Sequence, residues 1–585
     1  MIFKNTKLLL ALACASGGLI AVFLGQDASW DYRNYHVYNA WAFLQRRWGT
    51  DFVPAQIQTF FNPLPDIPHY LATVWVSAPF ASFLYGAFHT LVIYPLWHLS
   101  KPLLQTWQRV LVVATGFASP VFLYQLGLTV GDATTAVLVL MGVFGVLKAD
   151  ATSQNTQTFN WGALAIGAAV GLKLTNAPYG VALLLALCWR QDKTTRWAYA
   201  WRYVLYAGLG FVLAGGVWYA WVAYLYGNPL LPQFNNIFAS PYAAAVGIVD
   251  QRWGPKTATE LLLWPAWLVI RPYLFGENNT VVLTLAVALF AVYAALPVGV
   301  YHMWRNRTPI ASTYNHWLGS LVIFFVASYG LWLLVFPVGR YLVVLDILAP
   351  LLLLVLAQKV RSKLATWGAA LFVLLGALLT VYNLDKRDSA QYSPGSPWHL
   401  EVPTPWLATP KNLVFTGGTP TSWLLPLMGQ VGFSTHLGGN YRHSPYGLQH
   451  IQSKLQNSGI PTYWVELMAE TRIDQIHVPS VLPAATQLVQ TIATAPYCPS
   501  ALKVLGKLFY NSDLQRTHQC AERNTLSTAL KEPPPQVAQM PTVDMGPLGK
   551  QVGMEINTKA CTTHVAKLGA NSYTLRLCPS EPKAR

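Results

Sequence analysis

Residues 26–70 are QDASWDYRNYHVYNAWAFLQRRWGTDFVPAQIQTFFNPLPDIPHY, and this stretch sets the architecture that the sequence predicts. It follows the first apolar segment, and it holds too much charge, asparagine and proline to cross a bilayer. Its tyrosine, tryptophan and phenylalanine side chains are of the kind that prefers the boundary between lipid and water. We therefore expect an ordered cap on the membrane, with Asp31 as its chemical centre, held over a lipid-facing pocket by the rest of the chain.

The whole chain has the composition of a membrane protein. Of its 585 residues, 53% are hydrophobic and only 11% are charged, whereas soluble domains carry about 25% charged residues. A net charge of +16 would be typical of a nucleic-acid-binding protein, but the basic residues lie in short gaps between apolar runs. That placement is the positive-inside pattern, which orients a protein in a membrane. The expected partner is thus a lipid bilayer and not a nucleic acid.

The apolar runs predict a polytopic α-helical membrane protein of about eleven crossings with its N-terminus inside. An uncleaved first helix is favoured over a signal peptide because the first apolar run continues to Leu24 without a break. With this parity, two long aromatic loops, 26–66 and 224–278, lie outside, and a surface helix is expected at 67–80. The expected crossings are 1–25, 82–99, 107–126, 133–149, 160–172, 176–189, 203–222, 279–301, 314–335, 342–357 and 363–382.

The chain changes character after the last crossing. Residues 383–585 are richer in Ser, Thr, Gln and Pro and contain no long apolar run, which predicts a soluble C-terminal α/β domain outside the membrane. Residues 1–382 would then form the transmembrane domain. Four cysteines lie in the C-terminal part, and pairing across the two short loops is favoured over four free thiols. Disulfides imply an oxidising, periplasmic or extracellular compartment. The favoured pairs are Cys498–Cys520 and Cys561–Cys578.

Acidic residues in the outer loops are the candidates for proton transfer. Asp31 lies in a loop too long and aromatic for a simple connector, and a sheltered acid can remove a proton from a hydroxyl. Asp27 is its nearby competitor. Asp132, in GDATT, begins a helix, where an acid is commonly only an N-cap; alternatively, it is a second acid facing the same cavity. Asp66, before Ile67-Pro68, has the pattern of a helix start. The expected supporting residues are Tyr35, His36 and Asp66.

Two basic residues expected on the outer side are exceptions to the positive-inside pattern. Lysine is costly within a membrane, yet Lys173 is expected at the outer tip of a short helical hairpin. Arg340, in FPVGRY, lies at another outer helix end. An ammonium group can hold a lipid phosphate as a point charge, and a guanidinium can donate two hydrogen bonds to phosphate oxygens. Weaker candidates of the same kind are Arg252 and Arg271.

Neither a metal nor a soluble cofactor is expected. The two histidines of HLGGNYRH (436–443) do not have the spacing of a metal-binding helix. The sequence contains no phosphate-cradling glycine loop and no nucleotide fingerprint on the cytoplasmic side. The energy for a reaction is therefore expected to arrive on a lipid carrier.

These motifs resemble the GT-C superfamily of integral membrane glycosyltransferases, in its bacterial polyprenyl-phosphate-sugar branch. The resemblance covers about residues 1–380. It is carried by Asp31 with Tyr35-His36, NPLPDIPHY (62–70), GDATTA, GLKLTN and VGRY. His36 stands where relatives often have a second tyrosine, and the Lys-Pro-Pro of some branches is absent, so the acceptor cannot be inferred from them.

The resemblance implies a role for each motif. Asp31 would be the catalytic base and Asp132 a supporting acid, with Lys173, Arg340 and Arg252 holding the donor phosphate. It implies inverting transfer of a sugar from a polyprenyl-phosphate donor to an envelope glycan, lipid or protein, at the periplasmic face of a bacterial inner membrane. The alternatives are a polysaccharide polymerase or ligase and a lipid-linked sugar transporter or flippase.

Overall fold

The computed structural model describes residues 6–148, 156–190, 195–247, 253–275, 280–306, 313–382, 387–472 and 536–583. Helices form the first part of the chain and a β-sheet forms the last part. The first-part helices are α1 (Thr6–Phe23), α2 (Val37–Leu44), α3 (Ile67–Trp75), α4 (Ala78–His89), α5 (Ile93–Ser100), α6 (Thr106–Phe117), α7 (Pro120–Leu123), α8 (Asp132–Lys148), α9 (Thr156–Leu172), α10 (Ala177–Arg190), α11 (Arg196–Phe211), α12 (Val217–Tyr226), α13 (Asn235–Phe238), α14 (Ala258–Ile270), α15 (Leu283–Asn306), α16 (Thr313–Val335), α17 (Val343–Lys359) and α18 (Lys363–Tyr382).

The helical part agrees with an integral membrane protein. A helix lies on each segment expected to cross the bilayer. Among the described residues, five helical stretches are long and apolar enough to span a membrane: Ala78–Ser100, Arg196–Tyr226, His316–Val335, Gly339–Lys359 and Lys363–Tyr382. The number of about eleven crossings and the inside position of the N-terminus stay predictions.

The expected crossing at 107–126 differs from the structure. Helix α6 ends at Phe117, and only the single turn of α7 follows it. Pro120 has no N–H for a helical hydrogen bond, and the residue before a proline is pushed out of the α region, so Ser119 adopts an extended conformation. After α7, the chain continues as a buried, non-helical segment up to the start of α8.

The α9–α10 hairpin holds Lys173 at its tip, next to the short 3₁₀ turn Leu174–Asn176. The side chain of Asn176 donates hydrogen bonds to the carbonyls of Ala169 (3.1 Å) and Lys173 (3.0 Å), which caps the end of α9. Helix α9 lies close to α8 because glycine faces glycine: a Cβ on Gly162 would be 2.8 Å from the Cα of Gly145. This close packing fixes the hairpin against α8.

Within the described residues, the last part of the chain forms a mixed eight-stranded sheet of order β3-β9-β10-β6-β4-β5, with β7 beside β6 and β8 beside β10. Strand β4 is parallel to β5 and β6, and the other pairings are antiparallel. Its strands and helices, with the β1–β2 pair, are β1 (Gln26–Asp27), β2 (Ser389–Ala390), β3 (Trp398–Glu401), α19 (Thr404–Ala408), β4 (Lys411–Thr416), β5 (Val431–Leu437), α20 (Pro445–Asn457), β6 (Thr462–Arg472), β7 (Gln536–Gln539), α21 (Met545–Gln551), β8 (Met554–Ile556), β9 (Thr562–Leu568) and β10 (Asn571–Pro582).

One of the two expected disulfides lies within the described residues. Cys561, just before β9, is bonded to Cys578 in β10, as predicted. Cys498 and Cys520 lie outside the described residues, and Cys14 and Cys188, in apolar helices, are free thiols.

The cap lies between the helices and the sheet. Its strand β1 pairs with β2, and the N–H of Phe52 donates to the carbonyl of Ser434 in β5 at 3.0 Å. Asp51 accepts a return hydrogen bond from the N–H of Ser434 at 2.9 Å. On the helix side, Asn62 donates to the carbonyl of Gly171 at 3.0 Å. The cap therefore has partners on both faces, which holds it in place.

Candidate active site

Asp31 stands at the N-terminal end of a π-helical turn, Tyr32–His36, which continues into α2. Such turns are rare in helices and frequent at functional sites. The hydroxyl of Tyr35 donates to Asp31 Oδ2 across 3.3 Å. The ring of Tyr35 lies on that of His36, with 4.0 Å between the ring centroids. The turn thereby brings a carboxylate, a phenol and an imidazole to one place.

Four charged side chains form an alternating row beside this turn. Arg340 Nη1 lies 2.7 Å from Asp31 Oδ2, and Arg340 Nε lies 3.6 Å from Asp132 Oδ2. Asp132 Oδ1 in turn lies 2.6 Å from Lys173 Nζ. We call Asp31, Arg340, Asp132 and Lys173 the charge row. Its members come from the cap, the turn before α17, the start of α8 and the tip of the α9–α10 hairpin, so distant parts of the chain converge here.

The two cations of the charge row are more exposed than its two acids. The side chains of Arg340 and Lys173 are 30% and 16% exposed, whereas those of Asp31 and Asp132 are 4% exposed. Lys173 also donates to the carbonyl of Val130 at 2.6 Å. Charges buried in this way are stable only when they are paired. The acids therefore pair with the two cations, and both cations line the cavity.

A cavity of about 790 Å³ opens in front of the charge row. Its size is within the range of pockets that hold organic ligands. Asp31, Lys173 and Arg340 line it, and so do the expected supporting residues Tyr35, His36 and Asp66. Asp132 is not among the lining residues; its neighbours Gly131 and Thr135 are. Asp132 thus holds the two cations from behind.

Asp66 and His36 form a second buried pair on the cavity wall. His36 Nδ1 lies 2.6 Å from Asp66 Oδ1. Among the described residues, His36 Nε2 and Asp66 Oδ2 have no hydrogen-bond partner. Burial lowers the pKa of His36 well below its ordinary value, and the positive charges of Lys173 and Arg340 lower it further. Burial raises the pKa of Asp66 well above its ordinary value, with Lys173 opposing the shift.

The opposite pKa shifts predict opposite pH effects for the two members of the pair. With these shifts the folded pair carries one titratable proton, on the carboxyl of Asp66. The unfolded pair also carries one between about pH 4 and pH 6.5, on the imidazole of His36. Above about pH 6.5 the unfolded pair loses it first, so the contribution of the wild-type pair to the free energy of unfolding decreases as pH rises. In His36→Gln only the raised carboxyl pKa remains, and this decrease begins near pH 4. In Asp66→Asn only the lowered imidazole pKa remains, and the contribution is lost as pH falls below about 6.5.

Thermal unfolding of the detergent-solubilised full chain between about pH 4 and pH 8 measures these effects. The same variants compared at one pH give the coupling energy of the pair when the double variant is included. Identical pH dependences for wild type and both variants would contradict the opposite pKa shifts of His36 and Asp66.

The competitor Asp27 has a different place. Its carboxylate accepts hydrogen bonds from the N–H of Ser29 (2.9 Å) and from the N–H and hydroxyl of Thr129 (2.7 and 2.6 Å). It is not among the cavity-lining residues, and it fixes the cap to the segment before α8. Arg271, at the end of α14, lies over the ring of Trp267 at 4.4 Å. Arg252 lies outside the described residues, so its role stays a prediction.

Sequence reasoning missed the contribution of the last part of the chain to this cavity. Gly418, Gly438, Gly439 and Asn440 line it from loops of the sheet, together with Gln56 and Gln58 of the cap. The only signals were two glycine pairs, Gly417-Gly418 and the pair in HLGGNYRH, which carry no chemistry of their own. Within the described part of the chain, there is no group of three or more His, Cys, Asp or Glu side chains that could hold a metal ion.

Comparisons with known proteins give distant structural likenesses. No family model matches the sequence, and no curated protein matches it. ArnT from Cupriavidus metallidurans bound to undecaprenyl phosphate is 12% identical, with a TM-score of 0.46 over 82% of this chain and 95% of that chain. The Archaeoglobus fulgidus oligosaccharyltransferase in the apo form is 13% identical, with a TM-score of 0.45 over 79% of this chain and 70% of that chain.

The ArnT of Cupriavidus metallidurans in the apo state gives a similar result, with 13% identity and a TM-score of 0.45. Likenesses this distant do not transfer chemistry from one protein to another. The chemistry has to be argued from the charge row and the cavity.

Proposed function

We propose that this protein is a membrane glycosyltransferase that moves a sugar from a polyprenyl-phosphate donor to a cell-envelope acceptor. The observation that carries the proposal is the charge row at the wall of a cavity of about 790 Å³. A candidate base and two cations meet there, and each comes from the outer end of a helix or from the cap. This combination suits the departure of a phosphate and the deprotonation of a hydroxyl in one place.

Arg340 and Lys173 are the proposed holders of the donor phosphate. They are the more exposed members of the charge row, with side chains 30% and 16% exposed. The guanidinium of Arg340 can donate two parallel hydrogen bonds to phosphate oxygens, and Lys173 adds a point charge. A phosphate that binds Arg340 competes with Asp31, whose Oδ2 lies 2.7 Å from Nη1 of the same guanidinium. Donor binding would thus free the Asp31 carboxylate for proton transfer.

The proposed reaction is a single displacement. The oxygen of the acceptor hydroxyl forms a bond to the anomeric carbon of the sugar, and the bond from that carbon to the phosphate oxygen breaks. Asp31 takes the proton of the hydroxyl as general base, and the phosphate leaves with the bonding electron pair. Arg340 and Lys173 stabilise the negative charge that grows on the phosphate. A direct displacement inverts the configuration at the anomeric carbon.

The proposed setting is the inner membrane of a bacterium, with the site at the periplasmic face. Two features support it: the helices long and apolar enough to span a membrane and the disulfide Cys561–Cys578. A disulfide is typical of an oxidising compartment, and the cysteines that form it belong to the sheet that covers the cap.

The test is a transfer assay with the purified full chain in liposomes. Polyprenyl-phosphate donors with radiolabelled sugars are supplied with an extract of envelope glycans and lipids, and release of polyprenyl phosphate is followed together with labelled product. We expect both to appear at equal rates. A transporter would move intact donor across the bilayer without releasing polyprenyl phosphate. A polymerase or ligase would use only carriers that bear a preassembled chain. Either result would overturn the proposal.

A further inference from the structure

The sheet meets the cavity at one particular edge. Strand β4 runs parallel to both β5 and β6, so the carboxyl ends of these strands lie along the same edge. In sheets with parallel strands, ligands commonly bind at the carboxyl ends. Two loops begin there, and both begin with a pair of glycines: Gly417-Gly418 after β4 and Gly438-Gly439 after β5.

These glycines let bare backbone approach the cavity. Gly438, with a φ of +81°, adopts a conformation that favours glycine. A Cβ on Gly439 would lie 2.5 Å from the side-chain oxygen of Gln56. A Cβ on Gly418 would meet no atom within 4 Å, and Gly418 lines the cavity. A larger side chain at Gly418 would therefore enter open space.

The cap contributes amide side chains beside these loops. Gln56 Oε1 accepts a hydrogen bond from the N–H of Asn440 at 2.7 Å, and Asn440 Oδ1 accepts one from the N–H of Ile57 at 3.1 Å. Gln58 Oε1 accepts from the side-chain amides of Asn34 (3.0 Å) and Asn440 (3.4 Å). Because these hydrogen bonds join the cap to the loop after β5, this end of the cavity has a fixed shape.

Gln56 carries a second, independent signal of a ligand. It lines the cavity, is 1% exposed, and has a φ of +56°, a strained conformation for a residue other than glycine. Among the described residues its Nε2 has no hydrogen-bond partner. A buried amide donor without a partner is costly, and a ligand oxygen at this end of the cavity would satisfy it.

The two regions of the cavity wall differ in charge. Lys173 and Arg340 are the cations of the lining, whereas Gly418, Gly438, Gly439 and Asn440 and the neighbouring Gln56 and Gln58 carry no charge. The last part of the chain adds one charged lining residue, the acid Asp388, and no cation. Carboxamide groups both donate and accept hydrogen bonds, which matches the hydroxyl groups of a sugar. Phe61 continues this wall toward the base, because its ring lies 5.5 Å from that of Tyr35, centroid to centroid.

We propose, on the basis of the transfer reaction proposed above, that this uncharged end is the acceptor subsite and that the acceptor is a neutral saccharide. The glycine loops and the amides of the cap hold the saccharide, and the wall through Phe61 and Tyr35 leads its reacting hydroxyl to Asp31. An anionic headgroup would need cations at this end, and the named residues supply none.

The test measures binding of free neutral mono- and disaccharides to the detergent-solubilised full chain. Binding is detected by saturation-transfer NMR with the saccharides at millimolar concentrations. Wild type is expected to give saturation transfer that excess inorganic phosphate does not displace. Gly418→Leu fills the subsite and is expected to weaken binding at least about tenfold. The matched control is Gly368→Leu in α18, where a Cβ also meets no atom within 4 Å; it should bind as wild type does.

A second variant guards against misfolding of the first. Gln58→Glu keeps the two hydrogen bonds that Gln58 accepts and removes its donor, so it should weaken saccharide binding several-fold with an unchanged unfolding temperature. Wild type that binds none of the saccharides, or binding unaffected by Gly418→Leu and Gln58→Glu, would overturn the subsite. Failure of the proposed transfer is a separate outcome, since donor cleavage would be absent while saccharide binding persisted.

Discussion

Asp31→Asn is expected to lower the rate of sugar transfer by about 10² to 10⁴-fold, the range that a positioned general base contributes. Asparagine keeps the size of the side chain and an oxygen that accepts hydrogen bonds from Tyr35 and Arg340. It removes the basicity that the displacement needs. Donor binding should not weaken, because Arg340 loses its carboxylate partner at 2.7 Å and is then freer to hold phosphate. Single-turnover transfer and equilibrium binding of the donor, measured separately, check both statements.

The matched control is Asp51→Asn. Asp51 is also a buried cap carboxylate paired with an arginine, Arg47, at 2.6 Å, but it is not among the residues that line the cavity. This variant should lose stability without losing the chemical step once it is folded. Undiminished transfer in Asp31→Asn would move the base to another group, and an equal loss in both variants would mean that the cap only needs its buried ion pairs.

The sequence was sufficient to name all four members of the charge row one by one, Asp132 with an N-cap as its alternative role. Lys173 and Arg340 stand out because cations are rare at the outer ends of membrane helices, and Asp31 stands out by its aromatic surroundings. Their convergence could not be predicted, because the distances between residues so far apart along the chain depend on how α8, α9 and α17 pack. The role of Asp132 behind the cations, where either an N-cap or a cavity acid was expected, depends on the same packing.

Other parts of the fold were predictable to different degrees. The end of α6 had a local signal in Ser119-Pro120, which the continuous apolar run around it obscured. The glycine loops of the sheet had no such signal, because glycine contributes to a site only through the space that its missing side chain leaves. The cap was expected to be ordered, but its burial beneath the sheet depends on contacts between residues nearly four hundred positions apart, such as Phe52 and Ser434.

Arg340 is the second residue at which a large effect is expected. Arg340→Lys keeps the positive charge near Asp31 but removes the planar fork that can donate two hydrogen bonds to a phosphate. We expect transfer to fall by about 10- to 100-fold in this variant, and by about 10² to 10³-fold in Arg340→Ala, the cost of removing one group that stabilises developing negative charge. In Arg340→Ala the buried Asp31 loses its counter-ion, so the unfolding temperature should fall as well.

A double variant separates the loss of chemistry from the loss of stability. Asp31→Asn combined with Arg340→Ala removes both charges, so it should be more stable than Arg340→Ala alone. It should nevertheless remain inactive, because both the base and the phosphate holder are gone. Unfolding temperatures of the single and double variants give the coupling of Asp31 and Arg340 in stability. Single-turnover rates of the same variants give their coupling in sugar transfer. If Arg340→Ala lost stability but, once folded at low temperature, transferred sugar at the wild-type rate, Arg340 would only be the counter-ion of Asp31, and the phosphate would have to be held by Lys173 without it.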